Sequence, residues 1–143
     1  MSTTAPPRPD TRPRLYRTAG VVRILVGLFF LVPAAMKFTD HSGQTALFEH
    51  WGFPAPGALV VGVGLLELIA GVLLALGVAM PLPALVLSVD MVGALLTAGI
   101  RDGGERIVAP VVVLVLLAFV LSRLGGAYQR GQAPAILRNR SAR

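Results

Sequence analysis

Two carboxylic acids stand where charge is expensive. Between residues 58 and 100 the chain reads ALVVGVGLLELIAGVLLALGVAMPLPALVLSVDMVGALLTAGI, and Glu67 and Asp90 are its only formal charges. An ionised carboxylate at the centre of a bilayer costs about 2.5–3.5 kcal/mol on insertion scales. Acids kept at such places are paired, protonated or used. They can hold a proton, bind a base, or receive the polar end of a ligand. Two bases, Arg23 and Lys37, lie in the preceding apolar segment. The four side chains sum to zero charge, and together they form the candidate intramembrane cluster.

These residues need elements to carry them. Of the chain's 143 residues, 55% are hydrophobic and 14% charged, and its mean hydropathy is +0.73. A soluble domain carries roughly a quarter charged residues. The deficit marks an integral membrane protein. Cysteine is absent, which removes disulfides, thiol relays, iron–sulfur clusters and thiolate zinc sites.

The pattern predicts an all-α, four-helix membrane bundle with spans at about 18–38, 58–78, 82–100 and 107–124. As one helix, residues 58–100 would reach about 65 Å, twice the hydrocarbon thickness. Gly77, Pro81 and Pro83 supply the stop, turn and restart. RDGGER (101–106) turns the chain again, and Pro110 falls in the first turn of the last span. Residues 1–17 read as a disordered basic, Pro-rich tail, residues 39–56 as a polar and aromatic loop, and 125–143 as a second basic tail. A cleaved leader ending at Ala34 is the competing reading of the first span, and Arg23 within the apolar run argues against it.

The net charge of +6 comes from the flanks. Arg8, Arg12, Arg14 and Arg17 precede the first span, and Arg123, Arg130, Arg138, Arg140 and Arg143 follow the last. Basic flanks favour the cytoplasmic side, so both termini are expected there, in a multi-pass protein of the plasma (inner) membrane. Aromatic residues scarcely interleave with these arginines, which excludes a base-stacking surface and a nucleic-acid partner. The lipid bilayer is the expected partner.

Helical spacing gives each span an inner face. Gly20, Arg23, Gly27, Phe30, Ala34 and Lys37 share one stripe of the first span. Gly57, Gly64, Glu67, Gly71 and Ala75 share one on the second, and Asp90, Gly93, Ala94 and Thr97 one on the third. Small residues on such stripes let helices approach closely, so Gly27, Ala34, Gly64, Gly71 and Gly93 are the candidate packing positions. The fourth span is nearly all Val and Leu and is expected at the periphery. Arg23 lies about 10 Å to one side of the first span's centre and Lys37 about 11 Å to the other. Arg23 can extend toward either acid, while Lys37 can reach inward or snorkel outward. Three roles stay open: a purely structural ion-paired bundle, a protonatable site for a quinone or partner, and a small proton-coupled transporter or channel.

With the charges placed, the chain resembles the DoxX family of small four-span membrane proteins. The resemblance rests on RILVGLFFLVPAAMKF (23–38), FEHWGFPAP (48–56) and GLLELIAGVLLALG (64–77), and covers about residues 18–124. It departs at Pro33–Ala34, where relatives often carry Gly or His. It implies an accessory or scaffold subunit of a quinone-linked redox system, without catalytic activity of its own. Any electron transfer would use a bound quinone or a partner's cofactor, and the partner would be a redox complex or further copies of the chain.

The loop between the first two spans holds Phe48, Trp51 and Phe53, expected to settle at headgroup level. His41 and His50 in the same loop lack ligand-pair spacing, so no metal site is expected. Neither Ser88 nor Ser122 has a neighbouring His, and no catalytic residue is assigned.

Overall fold

The computed structural model describes residues 12–104 and 106–125. Among these, every regular element is helical: α1 (Arg12–Thr39), α2 (His41–His50), α3 (Pro56–Leu76), α4 (Leu82–Arg101) and α5 (Val108–Val120), with a π-helical turn at Leu121–Gly125. Three stretches, Arg17–Thr39, Pro56–Leu76 and Leu82–Arg101, are long and apolar enough to cross a membrane, and Val108–Leu124 is a shorter apolar helix. The protein is an all-α membrane bundle.

The helix boundaries follow local chemistry. Gly77 closes α3 in the left-handed region (φ 73°), with its N–H directed to the carbonyls of Leu73 and Leu74. Pro56 opens α3 and Pro83 lies in the first turn of α4, both where a missing N–H does no harm. Gly103 and Gly104, at φ 61° and 88°, make the reversal between α4 and α5.

Two boundaries differ from the sequence reading. α1 begins at Arg12, inside the stretch expected as a tail, and residues 1–11 lie outside the described residues, as do 126–143. The expected loop 39–56 contains a ten-residue helix, α2. Asp40 starts it by accepting a hydrogen bond from the Gly43 N–H at 3.3 Å, a side-chain cap that holds a short helix open at its first turn.

The core lies between the helices, around Phe30, Leu74, Leu87, Leu117 and Val120, all fully buried. Two of these, Leu117 and Val120, come from the last apolar helix. The peripheral place expected for it therefore holds for its outer faces alone. One face of α5 closes the core, because Leu and Val fill the space that α1 and α4 leave between them. α1 and α3 meet along the closest seam. A Cβ added at Gly27 would stand 2.6 Å from the Gly71 carbonyl oxygen and 2.7 Å from the Ala75 nitrogen. One added at Gly71 would stand 2.9 Å from the Gly27 carbonyl oxygen. Backbone cannot yield to such contacts, so only glycine fits at either place.

Candidate functional site

The α1–α3 seam carries a short, buried ion pair, the closest salt bridge among the described residues. Lys37 lies in the last turn of α1 and Glu67 midway along α3. Lys37 Nζ donates to Glu67 Oε2 at 2.7 Å, with the two residues only 7% and 3% exposed. Gly64, one turn before Glu67, makes room for this. Its missing Cβ would crowd Lys37 Cβ at 3.2 Å and Phe38 Cζ at 3.1 Å. Ala34, one turn before Lys37, is completely buried in the same seam. The seam thus places a charge-assisted hydrogen bond in a water-poor interior, where losing either partner would be costly.

Asp90 of α4 faces the same space. It lines a cavity of about 300 Å³ together with Lys37 and Glu67. Its Oδ2 is buried and has no hydrogen-bond partner. Gln44 and Thr97 add polar groups to the wall. The Thr97 hydroxyl donates to the Gly93 carbonyl at 2.8 Å, leaving its oxygen able to accept.

Aromatic rings close one end of this cavity. Phe48 packs against Trp51 and against Phe53, with ring centroids 5.5 Å apart in both pairs. The Trp51 indole N–H donates to Asp102 Oδ1 at 2.9 Å, tying the segment after α2 to the end of α4. These three residues, expected at headgroup level, pack on one another and line the cavity. The short α2 helix accounts for the packing. It turns Phe48 toward Trp51, whereas an extended loop would leave each ring independent.

Arg23 does not join the cluster. Its guanidinium lies against Gly77, at the C-terminal end of α3, where a Cβ would collide with it. Its Nε is buried without a partner. Because α1 and α3 run antiparallel, a register that faces Gly27 with Gly71 puts Arg23 at the end of α3, far from Glu67. There its charge meets the negative end of the helix. Gly93 also departs from its expected role, since a Cβ added there meets nothing within 4 Å. It borders the cavity and packs against no helix. His41 and His50 sit at opposite ends of α2, and among the described residues no three His, Cys, Asp or Glu side chains gather as a metal site would require.

The fold and site define a multi-pass membrane protein built around a buried Lys–Glu pair and a mainly apolar cavity with a few polar groups. The DoxX profile matches residues 19–100, more than half of the chain, and the protein belongs to the DoxX family. It is similar to an uncharacterized membrane protein of Mycobacterium tuberculosis, with 35% identity over 96 residues. That match covers 62% of this chain and 58% of the relative. No solved structure matches.

Proposed function

We propose that the protein is an accessory subunit of a membrane redox system that holds a quinone or quinol head group in the cavity between α1, α3 and α4. The observation that carries this reading is the unpartnered Asp90 Oδ2 on a cavity whose other wall is the Lys37–Glu67 pair. A bundle serving only as scaffold gains nothing from a cavity bordered by an unsatisfied carboxyl, because each unmet polar atom is destabilising. The residues present fit the group. Phe48 and Trp51 offer ring faces for stacking, Lys37 and Gln44 offer donors for ring carbonyls, and Asp90 offers a carboxyl that can take or return a proton at Oδ2. A bound quinone supplies two-electron, two-proton carrier chemistry, which the chain's own side chains do not provide. Lys37 keeps Glu67 oriented, the aromatic rings exclude water, and Asp90 is the group left free to exchange a proton.

The reading includes a plasma-membrane location with both termini in the cytoplasm, supported by the arginines before α1 and after α5. Cysteine introduced at residue 3 or 142 has no native thiol to compete with it. It should label only after the membrane is permeabilised, and labelling in intact cells would reverse the orientation.

Trp51 is the chain's single tryptophan and borders the cavity, so its fluorescence reports on the site alone. Titration of the detergent-purified protein with a quinone should quench it saturably. Asp90→Asn, with helicity retained, should weaken that quenching about tenfold. Absence of saturable quenching in the unmodified protein refutes the head-group site. A proton-coupled transporter is the second reading, favoured by the same unpartnered carboxyl. It requires solute flux in proteoliposomes that Glu67→Gln and Asp90→Asn both abolish.

A further inference from the structure

The cavity has a neighbour on the other side of Asp90. A second recess of about 400 Å³ lies on the outer face of α3 and α4, walled by Leu66, Leu85, Val86 and Val89, with Asp90 at its edge. Asp90 is the residue that borders both spaces. The recess faces outward: Leu85 is 49% exposed and Val89 73%, surfaces that in a membrane protein meet lipid tails. One turn beyond Asp90, Gly93 leaves open space beside the partition. Leu66 borders the recess and its neighbour Glu67 the cavity, so consecutive residues of α3 serve the two spaces.

The sizes of the two spaces differ in meaning. A cavity of about 300 Å³ sits at the lower limit of what encloses a whole organic ligand. A ring with a few substituents fits, and a long hydrocarbon chain does not. The recess is apolar apart from Asp90 and opens to the bilayer, where a chain loses no hydrophobic burial by lying.

Resting on the head-group reading above, we infer that the ligand of this cavity is an amphiphile whose hydrocarbon tail leaves between α3 and α4, past Asp90, into the bilayer. Entry is then lateral, from the lipid, and the aromatic cluster at Trp51 is a closed end. Asp90 stands at the threshold, where its carboxyl meets the first polar atom of an arriving head group. Leu85 and Val89 set how wide a tail can pass.

The experiment uses Trp51 fluorescence in the full chain with two probes: a para-benzoquinone ring without a side chain, and the same ring bearing a decyl chain. Leu85→Phe with Val89→Phe narrows the recess from the lipid side, replaces no residue that lines the inner cavity, and should preserve helicity and melting temperature. The expected result is that this double variant weakens the decyl probe about tenfold, the scale of one steric clash, and leaves the tail-less probe within about twofold. Val89→Ala, which widens the recess, should leave both probes binding. If the double variant leaves both probes unchanged, the tail route is overturned while the head-group site stands. Equal weakening of both probes overturns it as well, because the recess is then part of the head site. If neither probe quenches the unmodified protein, the head-group reading falls and the route with it. A change of oligomeric state in the double variant, with quenching intact, assigns the recess to a second copy of the chain and overturns the tail route.

Discussion

The two interfaces that α3 makes, with α1 and with α4, are built on opposite rules. Toward α1, Gly27 and Gly71 bring backbones together, Gly64 makes room for the Lys37 and Phe38 side chains, and a pair of opposite charges is closed at 2.7 Å. Toward α4, a glycine faces open space and a carboxyl oxygen lacks a partner. Both interfaces contain glycine and an acid, so composition does not separate them. What separates them is whether the small residue has a neighbour. A glycine against backbone is a packing device, while a glycine against a cavity keeps space empty. Stability should therefore concentrate on the α1 side of α3, and binding on the α4 side.

Substitutions at the glycines put the sharpest strain on that contrast. Gly27→Ala should destabilise the protein by about 3 kcal/mol or more, since the added carbon meets backbone on two sides. Gly93→Ala should shift stability by no more than about 1 kcal/mol, toward stabilisation, as alanine is the better helix former. Unfolding in mixed detergent micelles measures both, and similar losses at the two positions would erase the distinction between the interfaces.

The buried pair comes next in size. Lys37→Met leaves Glu67 without its partner and should cost about 3–5 kcal/mol, most of it recovered in the Lys37→Met, Glu67→Met double variant. Glu67→Gln should cost less than Lys37→Met, because Asp90 lies within the field of Lys37 and can serve as a second partner. Equal costs for the two single variants would mean that Asp90 takes no share of the lysine.

Smaller effects belong to the ends of the bundle. Asp102→Ala strips the Trp51 indole of its acceptor and should cost about 1–2 kcal/mol, with a shift in tryptophan emission as the ring loosens. An unchanged emission maximum would show that Phe48 and Phe53 alone hold the ring. Arg23→Gln should cost least, about 0.3–1 kcal/mol, the worth of a cation at a helix C-terminus. A loss as large as that of Lys37→Met would place Arg23 in the main cluster after all.

The membrane bundle could be read from the chain before any coordinates, because runs of apolar residues broken by Gly77, Pro81 and RDGGER leave few ways to fold. The acids Glu67 and Asp90 were equally conspicuous, since charge in an apolar run has no cheap explanation. The choice of partner was less accessible. Helical spacing tells which side of α1 holds Arg23 and Lys37, but not at what height each meets α3. That height is set by the close approach of Gly27 and Gly71, a long-range contact. With that register known, Lys37 falls beside Glu67 and Arg23 beside Gly77. The role of Gly93 was hidden for a related reason, because a small residue signals close packing or vacancy with the same letter. Helix α2 could have been found from Asp40, a capping residue followed by a stretch ending in Ala46, Leu47 and Phe48.

The shortness of the last apolar run reaches beyond the protein. Val108–Leu124 spans about 26 Å at the helical rise, against about 30 Å of hydrocarbon in a typical bilayer. Arg106 stands before this run and Arg123 at its far end, both with exposed side chains that seek the polar layer. Where this run crosses the bilayer, lipids on its flank would draw inward by up to about 4 Å, less whatever the two arginines reach by snorkelling, at a modest elastic cost for every ångström. α1, α3 and α4 impose no such demand, so the dent is one-sided. A molecule that dimples the bilayer on a single flank is drawn to thinner regions of it, and to neighbours with a dent of their own to share.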